Sequence, residues 1–145
     1  MTEIQFFHNV RDKLTAACEL VAQYYAGGRR VLVLATERSQ AARLDQMLWS
    51  FNQLAFVPHC AHDSPLAAET PVLIGPHLEV PGHDDVLVSL SSEVPAGFAR
   101  FRALVEIVGL DDADRIPARQ RWKHYKDRGY PLTAQDYLAR AGSRP

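Results

Sequence analysis

The run Val31-Leu-Val-Leu-Ala35 is apolar at every position and is bounded by charge, with Arg29-Arg30 before it and Glu37-Arg38 after it. A strand with one wet face alternates apolar and polar residues. A continuous run instead marks a strand buried on both faces, the habit of a parallel sheet covered by helices. Val86-Leu-Val-Ser89 repeats the pattern, and Leu104-Val-Glu-Ile-Val108 reads as a last strand. These three runs are expected as neighbours in one mainly parallel or mixed sheet.

Helical segments stand between the runs. Ile4–Phe7 reads as a short first strand and Arg11–Ala26 as a helix, because Leu14, Cys18, Val21 and Tyr25 draw one apolar stripe at spacings of four, three and four. Gly27-Gly28 ends that helix, since glycine accepts the left-handed conformation found at helix C-termini. Ser39 is read as the N-cap of a second helix reaching about Phe51, with Leu44, Met47, Leu48 and Phe51 as its core stripe. From Ser64 to His83 four prolines, Pro65, Pro71, Pro76 and Pro81, break the chain. Val72-Leu-Ile74 between them reads as an edge strand, where a proline costs no ladder bond. Pro95–Phe101 reads as a turn or short helix, Asp111 to about Arg128 as a long helix ended by Gly129, and Thr133–Ala141 as a tail helix. The order predicts an α/β class: a three-layer Rossmann-like fold in one domain spanning residues 1–145, with a tail from about residue 133.

The residues argue against nucleotide chemistry on that fold. His8-Asn9-Val10-Arg11 follows the first strand without a glycine to let backbone amides approach a pyrophosphate. His59-Cys60-Ala-His62-Asp63 could offer three zinc ligands, but no second ligand pair stands at standard spacing. Asp84-Asp85 could hold a divalent cation, yet they precede a strand, whereas open α/β sheets gather their sites at strand carboxyl ends. Ser89, Ser91 and Ser92 lack a Gly-x-Ser-x-Gly elbow. No cofactor, no metal site and no catalytic residue are therefore expected.

Composition narrows the partners. The chain has 145 residues, 47% hydrophobic and 23% charged, with a formal net charge of −1. A protein that coats DNA or RNA is usually more basic. No apolar run approaches the ~18 residues of a membrane span. Met1-Thr-Glu-Ile-Gln5 lacks a signal peptide's basic and apolar regions. Two cysteines, Cys18 on a helix face and Cys60 in a polar loop, are too few for a disulfide framework, so a reducing cytoplasm is expected.

The last helix carries the strongest binding signal. Arg115, Arg119, Trp122 and Lys126 are spaced four, three and four, and so fall within ~60° of one another on a helical wheel. Six Lys or Arg stand between Arg115 and Arg128 against one acid, Asp127. Ala118 and Tyr125 flank the Trp122 side. Cations beside aromatic surface suit a ligand with both a negative charge and an apolar group. Asp114 is read as the helix cap and Pro117 as part of its first turn. Trp49 points ~140° from Leu44 on the second helix, off the core stripe. It is either covered by another element or exposed for a partner.

At these residues the sequence resembles the chi-subunit family of bacterial DNA polymerase III. The resemblance rests on Arg30-Val-Leu-Val-Leu34, Gln40-Ala-Ala-Arg-Leu-Asp45, Leu48-Trp49, Phe56-Val-Pro-His59, Asp85-Val-Leu-Val-Ser-Leu90 and the block from Arg119 to Tyr130. The segment Cys60–Asp84 departs from the family pattern. The resemblance implies a non-catalytic replication accessory subunit that links the clamp loader to single-stranded-DNA-binding protein. It would do so by binding that protein's acidic C-terminal tail, which ends in a Pro-Phe-type carboxyl terminus. The implied tail site is Trp49, Val108, Arg115, Arg119 and Trp122, with Arg121, Lys123 and Lys126 as a basic rim. Phe56 is implied at the surface that meets psi, a small clamp-loader subunit. The chain would be a monomer or a heterodimer with psi, would touch DNA only indirectly and would not touch membrane. Two other functions stay open from the residues: a direct nucleic-acid binder using the basic last helix, and a metal-dependent nuclease using Asp84, Asp85 and the His59–His62 loop.

Overall fold

The strands among the described residues are β1 (Glu3–Val10), β2 (Val31–Leu34), β3 (His59–Ala61), β4 (Val72–Gly75), β5 (Val86–Ser89), β6 (Ala103–Gly109) and β7 (Leu132–Asp136). These seven, every hydrogen-bonded pair of them parallel, lie in the order β3-β4-β2-β5-β6-β1-β7. Among the described residues three α-helices of more than two turns accompany them: α1 (Lys13–Ala26), α2 (Arg38–Ser50) and α3 (Asp112–Asp127). The computed structural model describes residues 1–50 and 56–138. The three apolar runs that announce the sheet are β2, β5 and β6, which are consecutive neighbours as expected.

The strand residues divide by parity between two cores. Val31, Val33, Val72, Ile74, Val86, Val88, Val105 and Ile107 face α1 and α2, where Ala17, Cys18, Val21, Leu44 and Leu48 meet them. Ile4, Phe6, Leu32, Leu73, Leu87, Leu104 and Val108 face the other way. That second face is covered by α3, through Ala118 and Tyr125, and by the connections around β5, through Leu78, Val80, Phe98 and Phe101. A central strand in such a sheet has no wet side, which is why its sequence is apolar throughout. The result is a three-layer, Rossmann-like α/β fold.

Local chemistry fixes the joints. The Asp12 carboxylate caps α1 by accepting from the Leu14 and Thr15 amides at 3.1 and 3.2 Å. Asp85 takes both Nε and Nη2 of Arg29 at 2.6–2.9 Å and the Arg30 amide at 3.3 Å. This clamps the start of β2 to the start of β5, and the Arg29 guanidinium holds the Asp85 carboxyl below its usual range. His83 is buried and its Nε2 lies 3.0 Å from the Thr70 carbonyl, tying the proline-broken loop to the β4 entry.

Several expectations are corrected. Val72–Ile74 is not at an edge: β4 lies between β3 and β2, and the edge is β3, whose residues read as a polar loop. Leu104–Val108 is not the last strand, and Leu132–Asp136 is a strand, not the start of a Thr133–Ala141 helix. Tyr137 and Leu138 of that span are helical, and its residues from 139 onward, like Phe51 at the end of the second helix, lie outside the described residues. Ser39 is not a cap, because α2 starts at Arg38. Asp111, not Asp114, caps α3 by accepting from the Asp114 amide at 3.2 Å. Pro117 lies beyond the first turn, so the Ala113 carbonyl loses its helical donor.

His83 gives a pH prediction. Burial first, and the nearby Arg30 second, hold its imidazole below the usual range. Between that lowered value and the ordinary ~6.5, the unfolded chain takes up a proton that the folded chain refuses. Its contribution to stability is therefore lost as pH falls below ~6.5. Melting curves from pH 7.5 to 5.5 should fall more steeply for the wild type than for His83→Gln. Parallel curves would show that His83 charges freely in the fold.

Candidate functional site

The buried side of α3 is made by Ala118, Arg121 and Tyr125. Arg121 is only 5% exposed, so it is not the rim cation that the resemblance implied. Its Nε donates to Glu106 Oε2 at 3.1 Å and its Nη1 to the Ser92 carbonyl at 2.8 Å. The Tyr125 hydroxyl donates to the same Oε2 at 2.6 Å. Glu106 is fully buried on β6, and its Oε1 has no partner among the described residues. Burial pushes the Glu106 carboxyl up to about 7, against the opposing pull of Arg121 and Tyr125. The N-terminal end of α3 is fixed separately. Asp114 accepts from the Gly109 amide at 2.7 Å and pairs with Lys13 Nζ at 3.1 Å. A Cβ on Gly109 would meet Asp114 Oδ2 at 2.8 Å, so a larger residue there would push the Asp114 carboxylate aside.

Held this way, α3 leaves a cleft of about 270 Å³ between itself and the carboxyl ends of β1 and β6. Phe6, Val108, Ala118 and Trp122 give it apolar surface, and Ala134 of β7 adds a wall. Trp122 packs edge-on against Phe6, with ring centroids 5.2 Å apart and planes at 70°. His8, Asn9, Arg115 and Arg119 supply the polar groups. Arg119 is exposed, while Arg115 and Trp122 are half-buried. The cleft thus combines an apolar floor with two guanidinium groups, which suits a ligand carrying an apolar group beside a carboxylate. It lies where connections diverge: β1 leads into α1 on one face and β6 into α3 on the other. Ligands of α/β sheets bind at such divergences.

Four of the expected tail-site residues, Val108, Arg115, Arg119 and Trp122, therefore converge. Trp49 does not. It sits on α2, over β3 and β4 on the opposite face of the sheet, roughly 20 Å from β1 at ~4.8 Å per strand. There Trp49 and Phe56 are 59% and 54% exposed and stack with centroids 5.1 Å apart. His59 lies under Trp49 at 4.9 Å. Lys126 and Lys123 are exposed on α3 outside the cleft lining. Phe6, His8, Asn9 and Ala134 escape the sequence reading. Phe6 carries a signal, since large aromatics in a first strand pack against whatever covers it. His8 and Asn9 carry only the rule that strand carboxyl ends host sites, and Ala134 carries none.

The alternative clusters are otherwise engaged. His59 has Nδ1 against the Val57 carbonyl at 2.7 Å and Nε2 against the Asp45 carbonyl at 3.1 Å, so hydrogen-bond acceptors face both nitrogens. His62 packs edge-on against His77 at 4.6 Å. No group of three His, Cys, Asp or Glu that could hold a metal gathers among the described residues. Asp85 is committed to Arg29, at the amino ends of its strands.

These features define the class: a Rossmann-like α/β fold without a glycine phosphate loop after its first strand. The fold is similar to that of a chain in the structure of a variant S. cerevisiae Dbp5 C-terminal domain bound to a Gle1 variant and IP6. The TM-score is 0.58 at 12% identity, over 96% of this chain and 93% of that one, a likeness of fold alone. The family model for the DNA polymerase III chi subunit, HolC, matches residues 1–133. Curated relatives named DNA polymerase III subunit chi include one from Pseudomonas aeruginosa, 34% identical over 91% of this chain and 94% of that one. Another, from Escherichia coli, is 31% identical over 79% of both chains. The chain belongs to the DNA polymerase III chi-subunit family, accessory subunits of DNA replication. Among the described residues no helix is long and apolar enough to cross a membrane.

Proposed function

We propose that this chain is a non-catalytic adaptor that binds the acidic C-terminal tail of single-stranded-DNA-binding protein and links it to the clamp loader. The observation that carries the reading is the cleft under α3, where Arg115 and Arg119 stand beside the apolar surface of Phe6, Val108 and Trp122. A terminal phenylalanine fits the apolar surface and its carboxylate a guanidinium, while upstream aspartates meet the exposed cations Lys123 and Lys126 more diffusely. The second link is a psi-like subunit on the exposed aromatic pair Phe56 and Trp49. Contiguous exposed aromatics are the residues a protein interface uses. Trp49 is thereby assigned to the psi-facing surface and not to the tail site. DNA is then reached only through the partner, from the cytoplasm, with the chain as a monomer or a heterodimer with psi.

A titration separates this from direct nucleic-acid binding. An Asp-rich peptide ending in Pro-Phe should bind at roughly micromolar strength, the level expected when few anchors order a flexible tail. Affinity should fall as salt rises. A single-stranded oligonucleotide should bind far more weakly in the same buffer. Tight oligonucleotide binding with no peptide binding would transfer the role of the basic helix to nucleic acid.

A further inference from the structure

We propose that Asn9 is a positioning residue, holding the Arg115 guanidinium in the cleft without neutralising it, so that the charge stays available to an incoming carboxylate. This rests on the tail-binding reading above. Asn9 has φ 59°, the only non-glycine in the left-handed region among the described residues. The conformation comes with a register shift between β1 and β6, where pairing jumps from Phe7–Ile107 to Val10–Gly109. The irregularity places Asn9 in the cleft, where its Oδ1 accepts from Arg115 Nη2 at 2.8 Å across 106 residues of sequence. Left-handed backbone disfavours most side chains and is tolerated by asparagine, aspartate and glycine. An observed outlier of this kind beside a cleft is a pointer to function.

The charge balance around the arginines sharpens the point. Arg29 is bound by the Asp85 carboxylate and Arg121 by the Glu106 carboxylate. Arg115 has a neutral amide oxygen instead, and among the described residues no carboxylate pairs with it. A guanidinium has five N–H donors, so one amide contact fixes its place and leaves donors for a bidentate anion. A carboxylate at position 9 would hold the same geometry while consuming the charge. An amide spares it, and the ordering cost is met before the ligand arrives.

The test uses the full chain, with an Asp-rich peptide ending in free Pro-Phe and the same peptide as its C-terminal amide. Asn9→Asp and Asn9→Gly both suit the left-handed backbone, so melting should stay near wild type. Asn9→Asp should weaken the free-acid peptide about tenfold or more, because Arg115 is neutralised. Asn9→Gly should weaken it roughly threefold to tenfold and lower the order of the Arg115 Nε–H in NMR relaxation of the free protein. In an Arg115→Ala background both substitutions should become silent. Wild-type binding that Asn9→Asp leaves unchanged, or effects that persist without Arg115, would overturn the role of Asn9 alone. A wild type that ignores both peptides would overturn the tail reading and this role together.

Discussion

Arg121→Ala should lower the free energy of unfolding by about 3–5 kcal/mol, the cost of leaving a buried charge without its partner. Glu106 is fully buried, and its Oε1 already lacks a partner among the described residues. Without Arg121 only the Tyr125 hydroxyl would face the carboxylate, and the Ser92 carbonyl would lose its donor too. The loss should be smaller at acid pH. There Glu106 can take up a proton, as its upward-shifted value of about 7 already favours. In the wild type a raised carboxyl works in the same sense. Between ~4.5 and about 7 the folded chain holds a proton that the unfolded chain has released, so this contribution to stability falls as pH rises through that window. Chemical denaturation at pH 5.5 and pH 8 measures both. Replacing the pair together, Glu106→Leu with Arg121→Met, should cost far less than either single loss. A change under ~1 kcal/mol for Arg121→Ala at both pH values would mean that the pair is not the fastening of α3 described here.

Trp122→Ala should weaken binding of the acidic tail peptide by ~2 kcal/mol or more, as expected of a central aromatic anchor. Trp49→Ala should leave it unchanged. Both tryptophans are partly exposed, but Trp122 lines the cleft against Phe6, whereas Trp49 stacks on Phe56 across the sheet. Arg119→Ala should cost about 2 kcal/mol where its carboxylate partner is desolvated. Lys126→Ala, an exposed charge outside the cleft, should cost only a few tenths. Peptide titrations of the four variants, each confirmed folded by its melting curve, give the ranking. Loss of binding in Trp49→Ala with Trp122→Ala unaffected would move the site to α2.

What the sequence made legible follows the strength of the local signal. β2 and β5 stand out because burial on both faces demands apolar side chains at every position. β7 does not, since Thr133, Ala134 and Gln135 are exposed on an edge and carry no alternation. β3 is equally opaque: only His59 of its residues is buried, and its pairing with β4 is a long-range matter. The helix stripe located Arg115, Arg119 and Trp122 because helical spacing places them on one face whatever surrounds the helix. The same spacing could not tell that Arg121 turns inward, because its partner Glu106 reads as one polar residue in a strand. Nor could it place Trp49, since which helix lies on which face depends on the order of strands. Asn9 was invisible for a different reason. Its role depends on a backbone conformation and a contact 106 residues away.

The cleft under α3 is proposed to receive a C-terminal carboxylate. Calorimetry of the wild-type chain with an Asp-rich peptide ending in Pro-Phe, as the free acid and as its C-terminal amide, tests that claim directly. The free acid should bind at roughly micromolar strength and the amide about tenfold or more weakly, since the amide gives up a charge-assisted pair with a guanidinium. Equal affinity for the two peptides would contradict it.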